Sequence, residues 1–221
     1  MLFKFFALLL QTIEINMVKR SFKKVYRFLI RIFFSKISKT AGTAAPITFK
    51  TYLFQKILGF NRKVYWPTHF TSVIANYKNI KIGIGTAPGL SPGCYIQGGG
   101  EIYIGDYTII AANVGIISAN HDVKDITKHK DSKVIIGNYS WLGMNSVVLP
   151  NVILGDYTIV GAGAVVTKSF EEGYCVIAGN PAKIIKKLNK EECVHFENDY
   201  KYYGYIPSEK FATYREKELN V

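Results

Sequence analysis

Acidic residues are nearly missing from the first third of this chain. Residues 1–80 carry about 14 Lys and Arg against a single acid, Glu14, while the remainder holds about 14 basic and 15 acidic residues. The net charge of +12 therefore belongs to an N-terminal arm, and the near-neutral remainder excludes a basic nucleic-acid surface there. Long apolar runs are also lacking: Met1 to Leu10 is apolar but holds Lys4 and is too short to span a bilayer. Weak charge ahead of that run and no small-residue cleavage site behind it argue against secretion and for a cytoplasmic protein. Cysteine is scarce. Cys94, Cys175 and Cys193 fit neither a zinc nor a redox spacing and read as reduced thiols. No Walker-type or dinucleotide-binding glycine loop occurs, so any phosphate must be met by single contacts.

What is plentiful is Gly, Ile, Val and Tyr, a mixture suited to strands and tight turns rather than helices. Between residues 80 and 170 an aliphatic residue recurs every six positions. Ile84, Leu90 and Ile96 form one set, and Ile104, Ile110 and Ile116 a second. Ile136, Leu142, Val148, Leu154, Val160 and Val166 complete the series. The next residue is often small, as at Gly85, Ser91, Gly105, Ala111, Gly137, Gly143, Gly155 and Gly161. A period of six matches neither a helix nor an alternating strand. It predicts a parallel β-helix whose triangular coils each use three hexapeptides, the aliphatic residue pointing inward and stacking on its equivalents. The small neighbour is expected near a corner, where a small side chain or a Gly at positive φ would relieve crowding.

Two interruptions break the period. Two residues are added at Gly98-Gly99-Gly100-Glu101, which predicts a bulged corner. About fourteen are inserted between Asn120 and Val134, including His121, Asp122, His129 and Lys130; such an insertion must leave the prism as a loop, where function concentrates. The expected organisation is a basic arm and lead-in over 1–79, the β-helix over 80–188, and a C-terminal capping helix and tail over 189–221. Within the arm, Val18, Phe22, Val25, Leu29 and Phe33 share one helical face and Arg20, Lys24, Arg27 and Arg31 the opposite one. Two readings stand: a helix packed on protein, or an interfacial helix giving residues 1–40 a peripheral contact with the inner face of the plasma membrane.

The segments IGDYTIIAANVGIISANHD, IIGNYSWLGMNSVVLPNVILGDYTIVGAGAVVTKSF and IAGNPAKIIKKL closely resemble the hexapeptide-repeat acyltransferases, the family of galactoside, maltose, serine and xenobiotic acetyltransferases. The resemblance runs from about Ile80 to Leu188. It implies an all-β, left-handed parallel β-helix, although the general crossover rule favours the right-handed form. It also implies a homotrimer with active sites at subunit interfaces and acetyl-CoA as co-substrate, without a metal. SPGCYIQ, the ANHD around His121 and YWPTHFTS at 65–72 resemble the subgroup that acetylates sugars of surface polysaccharides.

Acetyl transfer from a thioester to a hydroxyl needs a base and a group to steady the oxyanion. A neutral imidazole suits the first task, and the resemblance places His121 there. It implies backbone donors at Gly143 or Met144 for the second, and Trp141 as lining of the acceptor or pantetheine channel. Ala162 and Gly163 in GAGAVVTK would admit the pantetheine arm, with Thr167 and Lys168 near the diphosphate. Pro181 precedes Lys183 and Lys186, which stand where relatives place cations for coenzyme A phosphates; solvated lysines are the alternative. Tyr95 and Gln97 fall at acceptor positions, Gln97 replacing a usual Asn. Asn120 and Asp122 flank the base, as sugar ligands or as turn residues. His129 reads as a solvated loop residue, and His69 and His195 lie outside the repeats. The expected reaction is O-acetylation of a sugar hydroxyl for a polysaccharide or glycolipid. N-acetylation of an amino-sugar nucleotide, xenobiotic acetylation and a non-catalytic scaffold are the alternatives.

Overall fold

The computed structural model describes residues 35–221. The chain divides into two compact units, 1–39 and 40–221. The amphipathic pattern from Val18 to Phe33 lies outside the described residues; of the first unit, 35–39 are helical. Among the described residues no helix is long and apolar enough to cross a membrane.

The second unit is a three-faced prism of parallel strands. The first face stacks Val73–Ala75, Tyr95–Gln97, Gly115–Ile117, Val147–Val148 and Val165–Val166. Ile80–Lys81, Glu101–Ile104, Lys133–Ile136 and Ile153–Leu154 make the second face. The third holds Ile109–Ile110, Trp141–Leu142, Thr158–Val160 and Cys175–Ala178, and Lys183–Lys187 joins it antiparallel. Residues 175–178 thus add a last parallel rung before the chain leaves the repeats. The prism also takes in residues ahead of 80, since Ile74 stands in register with Ile96.

The six-residue ladder is the core. Ile96, Ile116, Val148 and Val166 are in register on the first face, and Ile110, Leu142, Val160 and Ile177 on the third. Ile104, Ile136 and Leu154 do the same on the second. All are buried, each contributing about 1.5–3 kcal/mol of apolar transfer. The first coil departs from the expected count: Ile82 is fully buried, while Ile84 is only half-buried. The cause is a two-residue addition between Thr86 and Ile96, since Thr86 lies 22 residues before its partner Thr108 but Ile96 only 20 before Ile116. Counting back by six from Leu90 therefore lands two residues late. A separate addition at 76–79 matches the one at 98–101. Asn79 Nδ2 donates to Gly98 O across the two bulges at 2.9 Å.

The corners decide between the two reasons for a small residue. Gly105, Gly137, Gly143, Gly155 and Gly161 do not adopt positive φ. They are small because the next coil is too close: a Cβ on Gly137 would stand 2.5 Å from Asp156 N and from Gly155 C. The left-handed residue comes two positions later and is usually not glycine. Asn113 and Asn145 hold it at one corner, and Tyr107, Tyr139 and Tyr157 at another. Asn is among the residues that tolerate this region; Tyr is not, and here the tyrosines are held by each other. Their rings stack at 5.3 and 5.0 Å, and Tyr174 continues the stack at 5.1 Å. Beside them runs a side-chain ladder: Asp106 Oδ1 accepts from Ile84 N, Asn138 Oδ1 from Asp106 N and Asp156 Oδ1 from Asn138 N, at 2.7–2.8 Å. Thr86, Thr108 and Ser140 hydroxyls accept from the backbone N–H of Thr108, Ser140 and Thr158 in turn. Every coil is thus pinned to the next by side chain as well as by strand.

The C-terminal segment runs back along the tyrosine corner. Tyr157 Oη and Tyr139 Oη donate to Val194 O and Phe196 O, both at 2.9 Å, and Tyr107 Oη accepts from Asn198 N at 3.2 Å. Gly85 N then donates to Tyr202 O at 3.1 Å, in the first coil. The helix Ser208–Glu218 caps that end, burying Phe211 against Tyr203 at 3.8 Å and Tyr65 at 5.9 Å. Trp66, fully buried, donates from Nε1 to Pro88 O at 2.7 Å. Tyr65 and Trp66 of the YWPTHFTS segment are therefore cap residues.

Candidate active site

The insertion after the third strand of the first face is a β-hairpin. Ala119–His121 pairs antiparallel with His129–Asp131, setting Asn120 opposite Lys130 and His121 opposite His129. Its root is held from the preceding coil: Gln97 O accepts from Ser118 N at 3.0 Å and Gln97 Oε1 from Ala119 N at 3.1 Å. The Gln97 carbonyl oxygens thus brace the hairpin that carries the base. Neighbouring Tyr95 is exposed on the outer side of the first face, in register with Gly115.

His121 is exposed, and its Nδ1 lies 2.6 Å from Ile126 O. A carbonyl only accepts, so Nδ1 carries the proton and Nε2 of the neutral ring keeps its lone pair. His129, read from sequence as a solvated loop residue, is exposed but packs its ring 4.3 Å from that of His121. The eight-residue spacing alone could not reveal this; the antiparallel register of the hairpin sets the two rings side by side. Asp122 Oδ1 accepts from Lys124 N at 2.7 Å and Oδ2 pairs with Lys130 Nζ at 2.7 Å. The Lys130 contact first, then the Lys124 N–H, hold its carboxyl below the usual carboxylate range. Asp122 is thus a turn and hairpin-closing residue, and Asn120 is an exposed strand residue beside the base.

The other expected site residues line a different edge. Trp141, 49% exposed, stands on the outer side of the third face between Ile109 and Ile159. Gly143 follows at the turn toward the first face, but its N–H donates to Val160 O at 2.8 Å. It is committed to the coil and is removed as an oxyanion donor. Met144, half-exposed, has no acceptor for its N–H among the described residues. The same edge continues one coil on through exposed Ala162 and Gly163, whose N–H donates to Met144 O at 2.8 Å. Gly163 is left-handed, with φ 70° and open space around it. Thr167 and Lys168 are exposed at the end of the first face, Lys168 Nζ lying 5.7 Å from the Phe170 ring centroid. Exposed Pro181 lies in the turn before the return strand, on which Lys183 and Lys186 pair with Ala178 and Val176 and stay exposed.

Within one copy the hairpin leaves the prism between the first and second faces, while Trp141, Met144 and Gly163 lie at or near the third-to-first edge. The hairpin base and the small-residue edge are on different edges of the prism. Among the described residues no group of three or more His, Cys, Asp or Glu is placed to hold a metal. His195 instead packs edge-on against Tyr139 and Tyr157, and His69 shares a 2.7 Å hydrogen bond with Thr71 Oγ1.

Residues 133–168 match the family described as bacterial transferase hexapeptide (six repeats). The chain is a hexapeptide-repeat protein. Its hexapeptide prism has solved counterparts. A maltose O-acetyltransferase from Clostridium difficile 630 is 24% identical with a TM-score of 0.50, covering 74% of this chain and 89% of that one. This likeness carries the fold, a left-handed parallel β-helix. A galactoside acetyltransferase in complex with coenzyme A is 26% identical over 60% of this chain and 70% of that one, with a TM-score of 0.47. A hexapeptide-repeat acetyltransferase from Vibrio cholerae O1 biovar eltor, complexed with acetyl coenzyme A, is 21% identical with a TM-score of 0.48. It covers 64% of this chain and 78% of that one. No curated protein matches the sequence.

Proposed function

We propose that this protein is an acyl-CoA-dependent O-acetyltransferase that moves an acetyl group from acetyl-CoA to a sugar hydroxyl of a surface polysaccharide or glycolipid precursor. The observation that carries the reading is the tied imidazole of His121: a hexapeptide prism needs only its aliphatic ladder, yet this one holds out a histidine on a braced hairpin with Nε2 aimed away from its Nδ1 anchor. Nε2 takes the acceptor's hydroxyl proton as that oxygen attacks the thioester carbonyl. The carbonyl electrons move onto oxygen, and the Met144 N–H steadies that charge. Collapse re-forms the carbonyl, breaks the carbon–sulfur bond and expels the thiolate, which takes the proton from the His121 imidazolium.

Because hairpin and small-residue edge lie apart in one copy, the working unit is a homotrimer in which one copy's hairpin faces a neighbour's Trp141–Met144 and Ala162–Gly163 edge. Thr167, Lys168, Lys183 and Lys186 meet the donor's phosphates, while Tyr95, Asn120 and the Gln97 amide nitrogen face the acceptor. The protein works in the cytoplasm, with residues 1–40 touching the inner membrane face. His121→Ala is expected to leave folding and assembly unchanged and to lower kcat by about 10²–10⁴-fold. A variant with near wild-type kcat at saturating donor and acceptor overturns the proposal. The acetyl position in the product, read by NMR, separates O- from N-transfer.

A further inference from the structure

The lead-in over 49–60 is built inside out. Its inward residue is polar: Gln55 is fully buried, with Nε2 donating to Val64 O and Trp66 O at 3.1 and 2.8 Å. Gln55 Oε1 accepts from Thr68 N and Tyr205 Oη at 3.1 and 2.8 Å. With the amide satisfied inside, the apolar neighbours point out. Ile57 is 59% exposed, Leu58 57%, Phe60 47% and Phe70 37%. Phe60 and Phe70 form one patch with Phe54, whose ring lies 4.7 Å from Phe70 and 6.3 Å from Phe60, Phe60 lying 6.0 Å from Phe70, and Ile57 and Leu58 lead into the turn just before Phe60. The tip is a projecting turn: Gly59, at φ 96°, has nothing within 4 Å of where a Cβ would stand.

The segment that carries this patch has charge of one sign. Lys50, Arg62 and Lys63 are exposed and in none of the ion pairs among the described residues. Burial first, and then the charge of Lys50, lower the pKa of His69, whose ring lies 4.4 Å from that of Phe70. No Asp or Glu occurs between Glu14 and Glu101. A protruding, aromatic-rich apolar tip on a segment with exposed cations and no acid of its own is shaped to insert, not to receive, and fits a surface that is apolar beneath and anionic on top. We propose that this face docks on an anionic lipid surface, Leu58 and Phe60 entering the acyl boundary and Lys50, Arg62 and Lys63 meeting headgroup phosphates. The site is distinct from the residue 1–40 arm and would hold the prism itself against the bilayer, bringing a lipid-carried acceptor to it.

The test uses the full chain and vesicles of phosphatidylcholine with or without about 30% phosphatidylglycerol. Each cation at the surface strengthens binding by about fivefold, so Lys50→Gln/Arg62→Gln/Lys63→Gln should weaken sedimentation with anionic vesicles about a hundredfold and reduce its salt dependence. Leu58→Ser/Phe60→Ser should lose at least tenfold while keeping its melting temperature and its turnover of a soluble acceptor. A wild-type chain that binds the vesicles but transfers no acetyl group would count against the acetyltransferase reading and leave the lipid site standing. In Phe60→Trp, brominated-chain lipids should quench emission beyond the wild-type signal of Trp66 and Trp141. Binding without that quenching assigns the membrane contact to the arm and overturns the proposal. So does a wild-type chain that ignores anionic vesicles, or a change in oligomeric state in Leu58→Ser/Phe60→Ser, which would make the patch a copy-to-copy interface.

Discussion

Substituting two glycines separates the two reasons for smallness at the prism's corners. Gly137 follows the buried Ile136, and a Cβ there would meet Asp156 N and Gly155 C at 2.5 Å, with Asp156 Oδ1 at 2.6 Å. Those atoms belong to the next coil's backbone and to the carboxylate that pins Asn138, so nothing flexible can yield. Gly137→Ala should therefore sit at the upper end of overpacking costs, about 3 kcal/mol. At about 2–4 °C per kcal/mol for a chain of this size, Tm should fall by about 6–12 °C. Gly163 has open space instead and a φ of 70°. Gly163→Ala meets only the left-handed penalty of about 1–2 kcal/mol. The deciding pair is asparagine. Asn113 and Asn145 hold the corresponding corner in other coils with φ of 57° and 60°, so Gly163→Asn should recover most of what Gly163→Ala loses. Gly137→Asn should be worse than Gly137→Ala. Thermal melts by circular dichroism read all four. Equal tolerance of Asn at both positions would refute the assignment of Gly137 to close backbone approach.

Three further outcomes are expected. The Asp122 carboxyl is held down by Lys130 and the Lys124 N–H, so its contribution to hairpin order is present above the ordinary carboxylate pKa. It should be lost as pH falls below about 4, seen as loosening of the His121 ring signals by NMR before the prism unfolds; loosening near neutral pH would contradict this. Burial raises the Cys94 and Cys175 thiols while Cys193 is only half-buried, so native alkylation should mark Cys193 first by mass spectrometry. Lys183→Ala/Lys186→Ala should raise KM for acetyl-CoA more than for a donor lacking the 3′-phosphate; equal effects would remove these lysines from the phosphates.

From Ile96 onward the aliphatic ladder was legible in the sequence because burial at every sixth residue leaves a direct compositional trace. Ile84 misled because two extra residues between Thr86 and Ile96 leave Leu90 and Ile84 at a spacing of six from Ile96, although Ile82 is the inward residue. The His121 position was legible from its insertion, but the His129 contact depends on cross-strand register, which spacing does not encode. Gly143 could not be eliminated from sequence, since whether an N–H is spent depends on the neighbouring coil's carbonyl. The inside-out lead-in was hidden for a similar reason: Gln55 is buried by backbone carbonyls and one tyrosine hydroxyl, none of which makes a hydrophobic pattern.

Stacked-coil proteins ordinarily peel from an end, one repeat at a time, because each coil touches only its neighbours. Here the segment 194–202 is fastened successively to Tyr157, Tyr139, Tyr107 and the backbone of Gly85, crossing the coils lengthwise as a batten crosses planks. A load applied at the C-terminus reaches the first coil's cap before the last coil, and the last coil cannot fray without lifting the batten. Mechanically the prism should therefore yield in one step from the capped end, with a single rupture force instead of a sawtooth of coil-sized releases.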